Sequence, residues 1–226
     1  MNINKFEHEP ADETDPKLYR EIVGGLIYAM TCTRPDLSFV VTKLSLSQHM
    51  SKPNVNHMTM AKHTLRYIKG TIDRKLIFTK SENPLKLIGY CDSDWANSED
   101  RKSISGWGFQ LNVEGPLISR KSKKQSTVAL STCEAEYVSL SSAAQEGMFL
   151  MALLNDLSFM NVTNFDINCD NQSAISLAKN PVLSQRTKHI DIKYHFLRNL
   201  VQTYKMQITY VPSECNIADA LSHYID

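Results

Sequence analysis

The hydrophobic periodicity of the sequence changes near residue 72, and this change divides the chain into two parts. Before it, apolar residues recur at helical spacing: Leu18, Ile22, Leu26 and Ala29 share one face of a predicted helix. After it, short apolar segments of strand length alternate with longer amphipathic segments. This order predicts a small helical region followed by an α/β domain with a mixed sheet.

The boundaries of the parts follow from local signals. Residues 1–16 are polar and acidic without periodicity, so we expect them to be disordered. We assign residues 17–80 to the helical region and residues 81–226 to the α/β domain. Within the helical region, Asn54 is a predicted N-cap and Gly70 marks the C-terminal end of the same helix.

The second part is predicted to contain strands and helices in a definite order. A hairpin turn, V-E-G, separates two predicted strands, and a long helix begins at about Thr132. The predicted strands cover residues 74–80, 84–92, 105–112, 115–123, 164–170 and 206–212. The remaining predicted helices cover residues 171–180, 189–205 and 216–225.

Composition excludes several classes of protein. The formal net charge of the 226 residues is +1, so binding to nucleic acid would need a local basic patch. The five cysteines are odd in number and widely spaced, which is typical of reduced thiols. The sequence contains neither a signal-peptide pattern nor 18 consecutive apolar residues, so we expect an intracellular protein without a membrane partner.

Four carboxylates occupy the ends of predicted elements. Asp92 and Asp170 each close a strand, Glu136 lies in the first turns of the long helix, and Asp219 lies in the last helix. Strand ends gather distant residues at one edge of a sheet, and carboxylate oxygens are ligands that Mg²⁺ prefers. Two such ions can activate a water and stabilise the leaving oxygen of a phosphodiester. The pattern therefore predicts a metal-dependent site.

Each of these carboxylates also has an ordinary structural explanation. Aspartates at strand ends are common turn residues. Ser131 and Glu134 form a predicted capping box, which gives Glu134 a structural role and leaves Glu136 without one. Asp219 could lie at N3 behind an Asn216 N-cap, favoured there by the helix dipole. These residues alone leave both explanations of Asp219 open.

Asp92 has a close neighbour, Asp94, on the same face of the predicted strand. The segment I-N-C-D-N repeats the arrangement around Asp92, with an apolar strand, a cysteine and then Asp170. Asp94 has no such counterpart. We therefore predict that Asp92 is the ligand and that Asp94 shapes the turn before Trp95.

Five ordered motifs closely resemble the ribonuclease H domain in the Pol polyproteins of copia-type LTR retrotransposons. They are G-Y-C-D-S-D-W-A, R-K-S-I-S-G-W-G-F, I-S-R-K-S-K-K-Q-S-T-V-A-L-S-T-C-E-A-E-Y-V-S-L, C-D-N-Q-S-A-I-S-L-A-K-N-P and R-T-K-H-I-D-I-K-Y-H-F-L-R. The match spans about residues 85–221. The helical region resembles the thumb and connection of the same reverse transcriptases, through T-R-P-D-L-S-F-V-V and L-R-Y-I-K-G-T. The resemblance implies a C-terminal piece of such a polyprotein, or the product of a gene derived from one.

The resemblance implies a five-stranded mixed sheet flanked by helices and hydrolysis of the RNA strand of RNA–DNA hybrids. It places the four catalytic, metal-binding acids on Asp92, Glu136, Asp170 and Asp219, with two Mg²⁺ ions, or Mn²⁺ in their place. The implied partners are the hybrid and the remainder of the reverse transcriptase. The implied location is the cytoplasm, within virus-like particles, or the nucleus. No Y-x-D-D pattern occurs, so polymerase activity is not expected.

Two alternatives remain. The loop before Asp219 lacks the histidine usual in cellular ribonucleases H, and A-D-A-L-S-H-Y-I-D is an altered ending. These departures are compatible with an inactive relic that folds and binds nucleic acid without cutting it. Transposase and integrase cores share the fold but place a late glutamate where this chain has Asp219, so the sequence favours them least.

A basic cluster supplies candidate contacts to the sugar-phosphate backbone, where affinity is independent of base sequence. We predict the nucleic-acid-binding set to be Arg101, Lys102, Ser103, Lys121, Lys123, Lys124, Asn171, Gln172, Ser173 and Lys188. His189 and His195 lie six residues apart without a cysteine pair, so a structural zinc site there is disfavoured.

Overall fold

The computed structural model describes residues 12–80, 82, 84–96, 100–180 and 188–223. They form two compact units, one ending at Leu76 and the other running from Ile77 to His223. Most of the segment predicted to be disordered, residues 1–11, lies outside the described residues. Glu13 forms an isolated antiparallel bridge with Asn54.

The first unit is helical, as its periodicity predicts. Its helices are α1 Pro16–Cys32, α2 Ser38–Leu44, α3 Ser47–Ser51 and α4 Val55–Gly70. Asn54 caps α4 through a reciprocal pair of hydrogen bonds with His57, so the predicted N-cap is confirmed. The core of this unit is formed by buried apolar residues from α1, α2 and α4 that include Tyr19, Val23, Leu26, Val41, Leu44 and Ala61.

The second unit contains a five-stranded mixed sheet. Its strands are β1 Ile88–Ser93, β2 Ile104–Gln110, β3 Ser119–Lys124, β4 Phe165–Cys169 and β5 Met206–Tyr210, in the order β3-β2-β1-β4-β5. The β1–β2 and β2–β3 pairs are antiparallel, whereas β1–β4 and β4–β5 are parallel. This sheet and its flanking helices confirm the predicted ribonuclease H-like fold class.

The described part of the second unit has four α-helices and a short 3-10 helix, Ser213–Cys215. The α-helices are α5 Thr132–Asp156, α6 Gln172–Lys179, α7 Lys188–Gln202 and α8 Asp219–Ser222. The hydrophobic core lies between the sheet and α5, and buried residues of α6 and α7 extend it. Gly147 of α5 approaches β4 so closely that an added Cβ would lie 2.4 Å from a ring carbon of Phe165. Close approach at this glycine sets the distance between α5 and the strand that leads to Asp170.

Two predicted elements differ from the structure. The strand predicted at residues 74–80 does not form, and Ile77 and Phe78 remain 66% and 68% exposed. Their alternation is local, and a strand is stable only when a sheet edge satisfies its backbone and buries one face. The terminal helix is one turn long and starts at Asp219. The Asn216 side chain lies before it, where its nitrogen donates to the Cys91 carbonyl at 3.0 Å and its oxygen accepts from the Ala218 N–H at 3.2 Å.

Candidate metal centre

Parallel pairing of β1 and β4 brings Asp92 and Asp170, at the C-terminal ends of these strands, to the same end of the sheet. Asp92 lies within β1 and is 3% exposed, while Asp170 follows the last residue of β4 and is partly buried. The Ser139 hydroxyl donates to the backbone carbonyl of Asp92 at 2.7 Å, and the Ser213 hydroxyl donates to Asp170 Oδ2 at 2.6 Å. Both aspartates are therefore held by neighbouring serines.

Glu136 enters the same region from the second turn of α5. Ser131 caps the helix by accepting from the Glu134 N–H at 3.2 Å, and Glu134 Oε2 accepts from the Leu130 N–H at 2.9 Å. The Glu134 carboxylate thus stabilises the start of α5, although it accepts from the N–H of Leu130 rather than from that of the N-cap, Ser131. Glu136, which is 6% exposed, is left to point at the end of β1.

The two oxygens of Glu136 have different surroundings. Oε1 accepts hydrogen bonds from the N–H and the hydroxyl of Ser93, at 3.0 and 3.1 Å. Oε2 is buried and has no hydrogen-bond partner among the residues that the structure describes. A buried carboxylate oxygen without a partner is costly unless a proton or a cation satisfies it.

Asp219 completes the set from the first position of α8, with a side chain that is 52% exposed. His223, which sequence analysis did not single out, lies beside it. His223 Nδ1 is 3.1 Å from Asp219 Oδ1 and 3.0 Å from Asp92 Oδ2. The signal in the sequence was the i,i+4 spacing of Asp219 and His223, which puts both on one helix face.

The predicted carboxylates come together in two groups, each with ligand atoms within 4.8 Å of one another. One group contains Asp92, Asp219 and His223, and the other contains Glu136, Cys169 and Asp170. The Ser222 hydroxyl also donates to Asp92 Oδ2. Each of the four predicted acids therefore belongs to one or the other of the two groups, and His223 belongs to the group of Asp92 and Asp219.

The electrostatics of these groups favour a cation. Burial, aided by the negative charge of Asp92, raises the pKa of Glu136 to about 10. Burial also raises the pKa of Asp219, which His223 opposes and Asp92 and Asp170 reinforce. A hydrogen bond to Asp92 raises the pKa of His223. A divalent cation would let these carboxylates ionise together, so the residues present fit a metal ion.

Asp94 makes a different kind of contact. It is 0% exposed, its carboxylate accepts from the Ile104 N–H, and its own N–H donates to the Ile104 carbonyl at 3.1 Å. These bonds join the end of β1 to the start of β2. The structure thus gives Asp94 a place in the backbone pairing of the hairpin and leaves it outside both ligand groups.

The predicted nucleic-acid contacts are distributed unevenly. Lys121 and Lys123 are exposed on β3, and Arg101 is exposed before β2. The Lys124 ammonium lies 2.8 Å from Asp100, so it is held in an ion pair. Ser103 is fully buried with its hydroxyl accepting from the Ala96 N–H, so this side chain does not reach the surface where we expected a contact.

The segment after Asp170 supplies the rest of the predicted set. The Asn171 side chain accepts from the Ala174 N–H at 2.9 Å and caps α6, while Gln172 and Ser173 are exposed beside it. Lys102 is partly buried near Asp100. The side chain of Lys188 lies outside the described part of the structure.

The sequence of this chain is similar to parts of retrotransposon polyproteins. No protein-family model matches the sequence. The chain is 40% identical over 209 residues to the retrovirus-related Pol polyprotein from transposon RE1 of Arabidopsis thaliana, covering 92% of this chain and 14% of the polyprotein. It is 38% identical over 208 residues to the corresponding polyprotein from transposon TNT 1-94 of Nicotiana tabacum, covering 92% and 15%. The chain thus spans about a seventh of these relatives.

Among solved structures, RNase H1 from Halobacterium salinarum matches with a TM-score of 0.45 and 18% identity, covering 60% of this chain and 93% of that one.

Among the described residues, no helix combines the length and the apolar character needed to cross a bilayer.

Proposed function

Because the chain belongs to the Pol polyproteins of copia-type retrotransposons, we propose that its α/β unit is a ribonuclease H that hydrolyses the RNA strand of RNA–DNA hybrids. The sheet and helices of this unit form a ribonuclease H-like domain. One observation carries the proposal: Asp92, Glu136, Asp170 and Asp219 converge at one sheet edge, and a buried oxygen of Glu136 lacks a partner among the described residues.

The four carboxylates would hold two Mg²⁺ ions, or Mn²⁺ in their place. When bound there, such ions supply an activated water and a stabilised leaving oxygen. Asp92 is fixed by Ser139 and Ser222, and Asp170 is oriented by Ser213. The Ser213 and Ser222 bonds reach carboxylate oxygens and the Ser139 bond restrains the Asp92 backbone, so the ligand residues are positioned before substrate arrives.

The domain limits in this proposal are those expected from the sequence. Residues 17–80 would correspond to the thumb and connection of the reverse transcriptase, and residues 81–226 to its ribonuclease H domain. The remainder of the reverse transcriptase would be a partner inside the cell. The substrate would bind where Lys121, Lys123 and Arg101 offer exposed positive charge.

The test is cleavage of an RNA–DNA hybrid carrying a labelled RNA strand by the purified full chain in Mg²⁺. We expect wild-type protein to cut the RNA and Asp170→Asn to lose cutting. Asp156→Asn, at the exposed end of α5, is the matched control and should cut normally. Equal cutting by wild type and Asp170→Asn would overturn the assignment of the site.

One observation favours the inactive relic as a second candidate. Asp92 Oδ2 is already contacted by Ser222 and His223, so protein groups partly satisfy it. Salt-sensitive hybrid binding without hydrolysis in either Mg²⁺ or Mn²⁺ would support this candidate. Sustained turnover of the hybrid would exclude it.

A further inference from the structure

His223 lies at the mouth of the metal centre, between solvent and a buried carboxylate. Its side chain is 39% exposed, whereas that of Asp92 is 5% exposed. Nδ1 lies 3.0 Å from Asp92 Oδ2 and 3.1 Å from Asp219 Oδ1. One nitrogen and two carboxylate oxygens therefore point into a single small volume.

The position of His223 is fixed by the packing of α8 on the sheet. The His223 N–H donates to the Asp219 carbonyl at 2.7 Å and closes the single turn of the helix. Leu221 is 1% exposed and lies over Gly106 of β2, where an added Cβ would be 2.9 Å from the Leu221 backbone. Since only glycine permits this approach, α8 is held against β2 and carries the imidazole to Asp92.

We propose that His223 is itself a metal ligand through Nδ1 and that it makes the Asp92–Asp219–His223 group a mixed nitrogen–oxygen site. This inference rests on the proposed function only in requiring that the centre binds divalent cations. Mg²⁺ prefers oxygen ligands, whereas imidazole suits Zn²⁺ and other transition metals. This group should therefore be more selective for transition metals than a site of carboxylates alone.

A second observation points to a bound cation beside this group. Glu136 Oε2, which has no hydrogen-bond partner among the residues described, belongs to the neighbouring group, and Glu136 is bonded to Ser93, the residue after Asp92. A buried oxygen in this position needs positive charge or a proton. The imidazole thus joins a centre where a buried carboxylate oxygen is open to a cation for reasons independent of His223.

The direct test is electron spin-echo spectroscopy on the full chain with Mn²⁺ as the probe. A nitrogen bound to Mn²⁺ modulates the echo, and we expect this modulation in wild type. It should disappear in His223→Gln and persist in His195→Gln, whose exposed histidine on α7 belongs to neither ligand group. Wild-type protein labelled with ¹⁵N-histidine should show the shifted ¹⁵N pattern, so the test holds even if the variant folds poorly.

Calorimetric titration of the same proteins measures selectivity without any substrate. His223→Gln should weaken Zn²⁺ binding by about tenfold and change Mg²⁺ binding by less than about threefold. Equal weakening of both metals would contradict the inference, as would nitrogen modulation that survives in His223→Gln.

The outcomes separate this inference from the proposed function. Mn²⁺ binding without nitrogen modulation would remove His223 as a ligand and leave the ribonuclease proposal intact. Nitrogen modulation in a chain that never cuts hybrids would support the ligand and refute the activity. Failure to bind Mn²⁺ at all would refute both.

Discussion

Glu136 and Ser93 are joined by two hydrogen bonds that both end on a single carboxylate oxygen, Oε1, at 3.0 and 3.1 Å. Ser93 follows Asp92 in β1, so this contact connects α5 to the strand that carries the first proposed ligand. The second oxygen, Oε2, is left buried without a hydrogen-bond partner in the described part of the chain. One oxygen of Glu136 therefore holds α5 to β1, and the other is available to a cation.

This division predicts the behaviour of Glu136→Gln. The glutamine keeps an oxygen for Ser93 and removes the buried acid, so metal-free stability should change by less than about 1 kcal/mol. Wild type should gain about 2.7 kcal/mol at a Mg²⁺ concentration of one hundred times Kd, and the variant should gain little of it. Thermal melts with and without Mg²⁺ measure both quantities, with Glu114→Gln in the exposed β2–β3 turn as the control. An undiminished Mg²⁺ response in Glu136→Gln would exclude it as a ligand.

Asp92 and Asp94 should respond differently to the same substitution. Asp92→Asn should reduce hybrid cleavage by more than about 100-fold, because it alters a ligand of the metal itself. Asp94→Asn should retain cleavage and lose about 1 kcal/mol of stability, because a charged hydrogen bond to Ile104 becomes a neutral one. Cleavage assays and denaturant unfolding of both variants measure these effects. The reverse order of activities would reassign the ligand to Asp94.

Replacing glycine by alanine should change the free energy of unfolding in opposite directions at one position in each unit. Gly147→Ala should destabilise the chain by about 1–3 kcal/mol, because its Cβ would overlap Phe165. Gly25→Ala should instead stabilise by about 0.4–1 kcal/mol, because no described atom beyond its chain neighbours and the nearby backbone of α1 lies within 4 Å of an added Cβ, and alanine favours a helix. Circular dichroism melts measure both effects, and tryptophan fluorescence reports on the second unit, which contains Trp95 and Trp107. A neutral Gly147→Ala would contradict the close α5–β4 approach.

The stability of the first unit should depend on pH through His57. Burial, with His49 stacked 4.0 Å away, lowers the pKa of His57 to about 4, and Nδ1 must be unprotonated to accept from the Asn54 N–H. The folded pKa lies below the unfolded value of about 6.5, so its stabilisation is present above pH 6.5 and is lost as pH falls towards 4. The loss should reach about 1–2 kcal/mol, allowing for partial solvent screening.

Substitution of His57 by glutamine provides the matched control for this pH dependence. Glutamine at N3 can form the same capping box but does not titrate. Thermal melting of the chain, followed by circular dichroism between pH 7 and pH 4.5, should shift less in His57→Gln than in wild type. Identical shifts would mean that other groups set the acid sensitivity of this unit.

The second unit could be predicted from the sequence because its signals are local and repeated. The strands before Asp92 and Asp170 both read as apolar runs ending in Cys-Asp, and parallel pairing brings such ends together. The strand predicted at residues 74–80 was wrong because alternation shows only that a segment could pair, without showing that a partner exists. His223 was missed because its approach to Asp92 depends on Asn216 and Gly106, which act through tertiary contacts.

The hydrogen bond from Asn216 to the Cys91 carbonyl has a consequence for the order of folding, since it joins residues 125 positions apart. Contacts of such large sequence separation form late, after the loops between them have closed. During synthesis the segment containing Asp92 leaves the ribosome long before the segment containing Asp219. The carboxylates that would hold metal therefore cannot assemble in a nascent chain until almost the whole domain has been translated.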